Sequence, residues 1–257
     1  MTTRKQALSG AVLWLAGVTM AAATPTDVVV HVLSKDAKFI GSSMGGVQVT
    51  IRDVDTGELL AKGVTSGDTG DTKRLMATDH KRGEPLSTEG AAKFVATLDI
   101  NEPHLIEVTA YGPLAQRQSA NKVSTTQWLV PGKPISGGDG LLLVMPGFVV
   151  DVLDPPTHVK LKGVPQTVKL RSNVTMMCGC PLDPKGPWNP SKIEVKALLK
   201  HNGAAAGEVA LEYTGTTSEF AGNVDVKQPG TYIATVYAYD ASNGNTGVDV
   251  VTFMVEP

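Results

Sequence analysis

Apolar and polar residues alternate through much of the chain. Val47, Val49 and Ile51 interleave with Gln48, Thr50 and Arg52, which puts three aliphatics on one face and three polar groups on the other. Asp55-Thr56-Gly57 then supplies turn chemistry, and 58–64 reads as the returning strand of a hairpin. The same pattern predicts short strands over 28–33, 92–98, 104–111 and 124–130, and one long strand over 140–153. Beyond these, 158–162, 166–176, 191–199, 208–213, 219–226, 230–239 and 248–255 follow at the spacing of a sandwich. In 230–239, Tyr232, Ala234, Val236 and Ala238 form the predicted core face, with Ile233, Thr235, Tyr237 and Tyr239 opposite.

The predicted fold class is all-β, with two β-sandwich domains. Asp154-Pro155-Pro156 marks the expected boundary, because two successive prolines cannot donate to a ladder and they stiffen the chain. The domains are therefore placed at 24–154 and 155–257. Within the first, 66–90 is polar and rich in glycine, proline and charge, and reads as a long mobile loop.

The N-terminal residues change the picture of where the protein works. Arg4 and Lys5 precede an uncharged apolar stretch from Gln6 to Met20 and then Ala21-Ala22-Ala23, the layout of a cleaved secretory signal peptide over 1–23. The apolar run is short for a spanning helix, which needs roughly 20 residues. Cleavage after Ala23 removes two of the 23 basic side chains and none of the 25 acidic ones, so the net charge moves from −2 to −4. A mildly acidic chain with no Lys/Arg block argues against nucleic acid as a partner and against electrostatic docking on anionic lipid. No transmembrane segment is expected in the mature chain; its most apolar stretch, 141–153, is interrupted by Pro146, Gly147 and Asp151. The expected location is the periplasm or the cell exterior.

Two stretches carry a family resemblance. Gly46-Val-Gln-Val-Thr-Ile-Arg52, the turn Asp55-Thr-Gly57 and Leu60-Ala-Lys-Gly-Val-Thr-Ser-Gly67 resemble transthyretin-like and carboxypeptidase-regulatory-like sandwich modules over about 40 residues. Pro229-Gly-Thr-Tyr-Ile-Ala-Thr-Val-Tyr-Ala-Tyr-Asp240, the turn Asn243-Gly-Asn-Thr-Gly247 and Val248-Asp-Val-Val-Thr-Phe-Met-Val255 resemble the closing hairpin of bacterial immunoglobulin-like domains. Both resemblances imply structural or recognition units, and neither implies catalysis.

Chemistry concentrates in Met176-Met177-Cys178-Gly179-Cys180-Pro181, which holds the only two cysteines. If the strand over 166–176 continues, Met176, Cys178 and Cys180 share a face, and three soft sulfurs converge. Thioether and thiolate donors favour Cu(I) over harder cations. Three other outcomes stay open: a disulfide between Cys178 and Cys180, a thiol-disulfide exchange pair, and pairing with another chain. His31, His80, His104, His158 and His201 are scattered and read as surface or turn residues. Asp53, Asp55, Asp68 and Asp71 read as turn residues, since none completes a calcium loop. Ser136-Gly137-Gly138-Asp139-Gly140 reads as a bend, Asn173-Val-Thr175 matches a glycosylation acceptor, and Trp128 and Trp188 are candidates for an exposed face.

No nucleophile elbow, zinc-protease helix or nucleotide fingerprint occurs. The expected function is a non-enzymatic binding or scaffold protein with a protein or envelope partner and a Cu(I)-type soft-metal site at Met176, Cys178 and Cys180. The alternative is a thiol-disulfide redox accessory factor using Cys178 and Cys180.

Overall fold

The computed structural model describes residues 22–257, so the predicted signal segment lies, apart from its last two residues, outside the described residues. The first half of the chain gives β1 (Thr24–Ser34), β2 (Gln48–Asp53), β3 (Leu59–Val64), the short helix α1 (Thr72–Ala77), β4 (Lys93–Ile100), β5 (His104–Gly112), β6 (Asn121–Leu129) and β7 (Leu141–Met145). The second gives β8 (Phe148–Asp154), β9 (Val159–Lys162), β10 (Gln166–Met176), β11 (Ile193–His201), β12 (Ala204–Ala210), β13 (Glu212–Tyr213), β14 (Glu219–Val226), β15 (Gly230–Asp240) and β16 (Asn245–Glu256). The protein is an all-β chain of sandwiches.

Four sheets make up two layered pairs. Strands order as β4-β1-β7 and β3-β2-β5-β6 in the first half, and as β13-β14-β10-β8 and β12-β11-β15-β16-β9 in the second. Every pairing is antiparallel except β1 with β7 and β16 with β9. Alternation selects the core: Val49 and Ile51 of β2 and Ile106, Val108 and Ala110 of β5 are buried, as are Val28, Val30 and Val32 of β1. In β15 the buried set is Tyr232, Ala234, Val236 and Ala238, the face predicted to be core. Each such aliphatic contributes roughly 1.5–3 kcal/mol by leaving water.

Two expectations are corrected. The stretch 140–153 is two strands, β7 and β8, which enter different sheets: β7 runs beside β1, while β8 pairs with β10, with Val150 opposite Val174 and Phe148 opposite Met176. Pro146 has no N–H for the ladder, and Gly147 sits at φ +127°, so the chain is re-aimed between them. The sheets consequently divide at Pro146-Gly147, ahead of Asp154-Pro155-Pro156. The segment 66–90 is also more structured than a loop. Asp71 caps α1 by accepting the Arg74 N–H at 2.6 Å, and Leu75 and Leu86 pack on Phe39, Ala91 and Ala92 in a small satellite core.

The halves share a seam. The knuckle after β1, with Asp36 at φ +57°, enters the second half: Lys35 Nζ donates to the Asn243 carbonyl at 2.5 Å, and Trp188 Nε1–H donates to the Asp36 carbonyl at 2.9 Å. Buried Asn245 accepts the Gly147 N–H at 3.0 Å and donates to the Lys35 carbonyl at 3.3 Å. The outer edge of β8 is covered as well, since Ser119 Oγ exchanges bonds with the Val150 N–H and carbonyl at 3.0 and 3.1 Å, and Asp249 accepts the Val152 N–H at 2.8 Å. One hydrophobic core runs through both halves.

Candidate functional site

The sulfur cluster stands where β10 meets this seam. The strand ends at Met176, and the chain turns at once. The Gly179 N–H donates to the Met176 carbonyl at 2.8 Å, the Met176 N–H donates to the Cys180 carbonyl at 3.0 Å, and Thr175 bridges Pro181. Gly179 supplies the left-handed φ of +76° that the turn requires. The predicted strand face is therefore corrected: alternation stops at Met176, so Met176, Cys178 and Cys180 are not brought together as i, i+2, i+4 neighbours. The tight turn brings the two cysteines together instead and meets Met176 through its backbone.

Cys178 and Cys180 form a disulfide across Gly179, with Cα atoms 5.4 Å apart, and no described cysteine is free. Met176, Met177, Cys178 and Cys180 are all buried, at 3%, 0%, 2% and 5% exposure. A loop this small constrains the unfolded chain little: chain entropy for about three residues gives about 1.5 kcal/mol, against about 3 for a 15-residue loop. The disulfide therefore shapes a turn more than it stabilises a fold.

Around that turn the sulfurs accumulate. A Cβ at Gly179 would lie 2.5 Å from Met44 Sδ, so the thioether of a first-half residue rests on the glycine between the two cysteines. Met177 Sδ lies 3.5 Å from the Cβ position of Gly147, on the strand junction. Next to the turn a cleft of about 420 Å³ opens between the halves, with Asp36 and Met76 on one side and Met176, Leu182, Trp188 and Lys192 on the other. Sequence reasoning missed Met44 and Met76. They lie more than 90 residues from the cysteines, and only the packing of one half on the other brings them in.

The remaining candidates fall elsewhere. Asp53 is a turn anchor: Oδ1 accepts from the Thr56 N–H at 2.7 Å and its hydroxyl at 2.8 Å, and Oδ2 pairs with His104 Nδ1 at 2.7 Å. The His104 and Thr56 hydrogen bonds pull the Asp53 carboxyl down to about 2. His31 corrects the surface expectation, since it is buried against Phe39 with Nδ1 2.9 Å from the Asp139 carbonyl, and burial lowers its pKa. The Asp139 carboxylate in turn accepts the Leu86 and Ser87 N–H groups at 2.8 Å each, so 136–140 ties two loops together. Asp68 and Asp71 accept local backbone N–H groups. His201 stacks on Tyr232, 4.5 Å between ring centroids. Asn173 is paired on both sides within its sheet, opposite Asp151 and Glu219. Among the described residues no group of three or more His, Cys, Asp or Glu is placed to hold a metal ion, and no helix is long and apolar enough to cross a membrane.

The outer face of the five-stranded sheet differs from the sulfur site in every respect. Leu198 stands opposite Thr235, and Thr235 opposite Val250, in one row across β11, β15 and β16; Lys196, Tyr237 and Val248 form the next row. Leu198, Val248 and Val250 are exposed by 47%, 42% and 52%. Trp128, on the edge strand β6, is 59% exposed.

Fold and site together define an all-β protein of paired sandwiches with a disulfide-closed, methionine-rich seam. No protein-family model matches the chain, and no curated protein matches it. Among solved structures it is similar to an engineered protein at 15% identity and TM-score 0.33, over 50% of this chain and 24% of that one. It is also similar to a chimeric titin Z1Z2 carrying a KLER peptide from decorin, at 10% identity and TM-score 0.24 over 93% and 100% of the two chains. The titin Ig tandem domains A164-A165 give 12% identity and TM-score 0.24 over 92% and 97%. At those scores the likenesses carry no weight, and the fold rests on the sheets described above.

Proposed function

We propose that the protein is an exported, non-enzymatic binding or scaffold protein of the periplasm or cell exterior. It comprises a transthyretin-like sandwich and an immunoglobulin-like sandwich, divided near Pro146, and it engages a protein or envelope partner through the outer face of the five-stranded sheet. The observation that carries this is the row Leu198, Thr235, Val250, with Lys196, Tyr237 and Val248 alongside, in which Leu198, Val248 and Val250 are exposed and Thr235 and Tyr237 half-buried. Exposed aliphatics grouped on one face of a sheet mark a candidate contact surface. The Cys178–Cys180 disulfide fits an oxidising compartment. The test is capture from native envelope extract by the wild type and by Leu198→Lys/Val250→Lys. A partner retained by the first and lost by the second, with both proteins folded, supports the reading. Equal capture by both, or robust turnover of an ordinary substrate class, sinks it.

The finer proposal is a soft-metal site in the reduced protein, with Cys178 and Cys180 as thiolates, Met176 beside them and Cu(I) as the ion. The thiol-disulfide accessory role is a second reading, favoured by the bond between the two cysteines and opposed by their burial. Thiol titration with and without reductant, followed by an insulin-reduction assay, separates it from an inert disulfide.

A further inference from the structure

We infer that Met44 is a donor in that soft-metal site, so that a bound Cu(I) ion bridges the two halves of the molecule. The inference rests on the soft-metal reading and goes beyond it by bringing the first half into the donor set. Met44, Met76, Met176 and Met177 gather at this seam, and both cysteines lie among them. The four differ in where they sit. Met177 runs toward Gly147, while Met176 and Met76 line the cleft. Met44 rests on Gly179, the residue flanked by Cys178 and Cys180, where the missing Cβ leaves its sulfur in contact with the turn.

The chemistry is that of a soft cation. No group of three or more His, Cys, Asp or Glu among the described residues exists to compete, and two thiolates joined by the Met176 and Met44 thioethers make a soft donor set suited to Cu(I). A phosphine reductant first opens the Cys178–Cys180 bond, taking its oxygen from water to leave as the phosphine oxide, and two thiols remain. Each thiol then loses its proton to solvent as its Cu–S bond forms, and the Met44 thioether adds a lone pair with no change in charge. The product carries one net negative charge in a buried turn, and Lys192 lines the adjoining cleft. Gly179 is half-buried, whereas the two cysteines beside it are buried.

Coordination by Met44 has a mechanical consequence. Met44 closes the 3-10 turn Ser42–Met44 of the first half, and its carbonyl accepts the Ala115 N–H at 3.0 Å. An ion held by Met44 and by the cysteines therefore clamps 41–46 to 176–181.

The test is anaerobic Cu(I) titration of the full protein, reduced with a phosphine, against a chromophoric chelator. It compares the wild type, Cys178→Ser, Cys180→Ser and Met44→Leu, with amide exchange followed over 41–46. The expected result is one Cu(I) per chain, uptake lost in both Ser variants, affinity at least about ten-fold weaker in Met44→Leu, and slower exchange over 41–46 on loading the wild type only. Met44→Leu keeps the apolar bulk, and its thermal unfolding in the metal-free state reports whether it folds. If Met44→Leu binds as the wild type does while the Ser variants lose the ion, the bridge is overturned and the soft-metal reading survives. Absence of uptake by the reduced wild type overturns both.

Discussion

Two tight turns hold strand ends in this molecule by opposite means. At the end of β2 the Asp53 carboxylate gathers the Thr56 N–H, the Thr56 hydroxyl and the His104 ring, all within 2.8 Å. At the end of β10 a disulfide closes Cys178 on Cys180, and the Met44 thioether packs on the glycine between them. The first tie is electrostatic, reaches across β2 to β5 and serves one sandwich. The second is covalent and apolar, and it abuts the other half. A turn tied by a carboxylate responds to protons, whereas a turn tied by sulfur responds to reductants and soft metals. The two corners should therefore fail under different conditions.

The largest effect should come from the apolar side of the sulfur turn. Met177 is fully buried, with its sulfur against the Gly147 junction. Met177→Ala should cost about 2–5 kcal/mol of stability through the lost transfer energy and the cavity left behind. Met44, only half-buried on its turn, should lose well under half of that as Met44→Ala. Urea unfolding of both variants measures the difference; equal costs would mean that the seam does not separate core sulfur from contact sulfur.

Acid should break the carboxylate corner and spare the sulfur one. The folded value of Asp53 lies at about 2, below its ordinary 3.8. Its contribution is therefore fully present above the ordinary value and is lost as the pH falls from there through about 2. Asp53→Asn should lower stability at neutral pH and flatten the acid limb of the profile. His31 acts in a higher window. Burial disfavours its charged form, so the unfolded chain takes up the proton more readily and stability declines as the pH drops below about 6.5. His31→Gln should remove that decline, measured as thermal midpoint against pH. A wild-type profile unchanged by both substitutions would show that neither group is tied as described.

Much of this contrast lies beyond local pattern. Alternation predicted β2 and the core face of β15, because period two is written into adjacent residues. Two signals were present and outweighed: Pro146-Gly147 inside an apolar run marks a strand break, and Asp71 before Thr72-Lys-Arg-Leu-Met-Ala77 marks a helix start. The Asp53–His104 pair and the Met44–Gly179 contact had no such signal. The partners are 51 and 135 positions apart, and their meeting depends on which strands pair and how one half packs on the other. The cysteines were visible as a cluster, but a strand over 166–176 does not say where it ends, and that end decides the sulfur geometry.

Reduction should act on the sulfur corner with a smaller effect. Opening a loop of about three residues returns only about 1.5 kcal/mol of chain entropy to the unfolded state. A phosphine should lower the urea midpoint slightly and leave the acid limb set by Asp53 unmoved. Loss of several kcal/mol would instead assign the disulfide a role in the core.

The smallest effect on stability belongs to the face assigned to partner binding, and its smallness is what makes that face informative. Leu198 and Val250 are about half exposed on the outer face, so lysine at both positions leaves the buried core unchanged. Substitutions of this kind usually shift stability by no more than about 0.5 kcal/mol each. Lysine side chains also extend into water and repel apolar contact, so the same change should abolish a docking interaction centred on that row. Differential scanning calorimetry of Leu198→Lys/Val250→Lys should show a nearly unshifted midpoint beside lost capture of the partner. A large drop in the midpoint would mean that the row is already covered by the chain's own structure, and the binding face would have to be sought around Trp128 on β6.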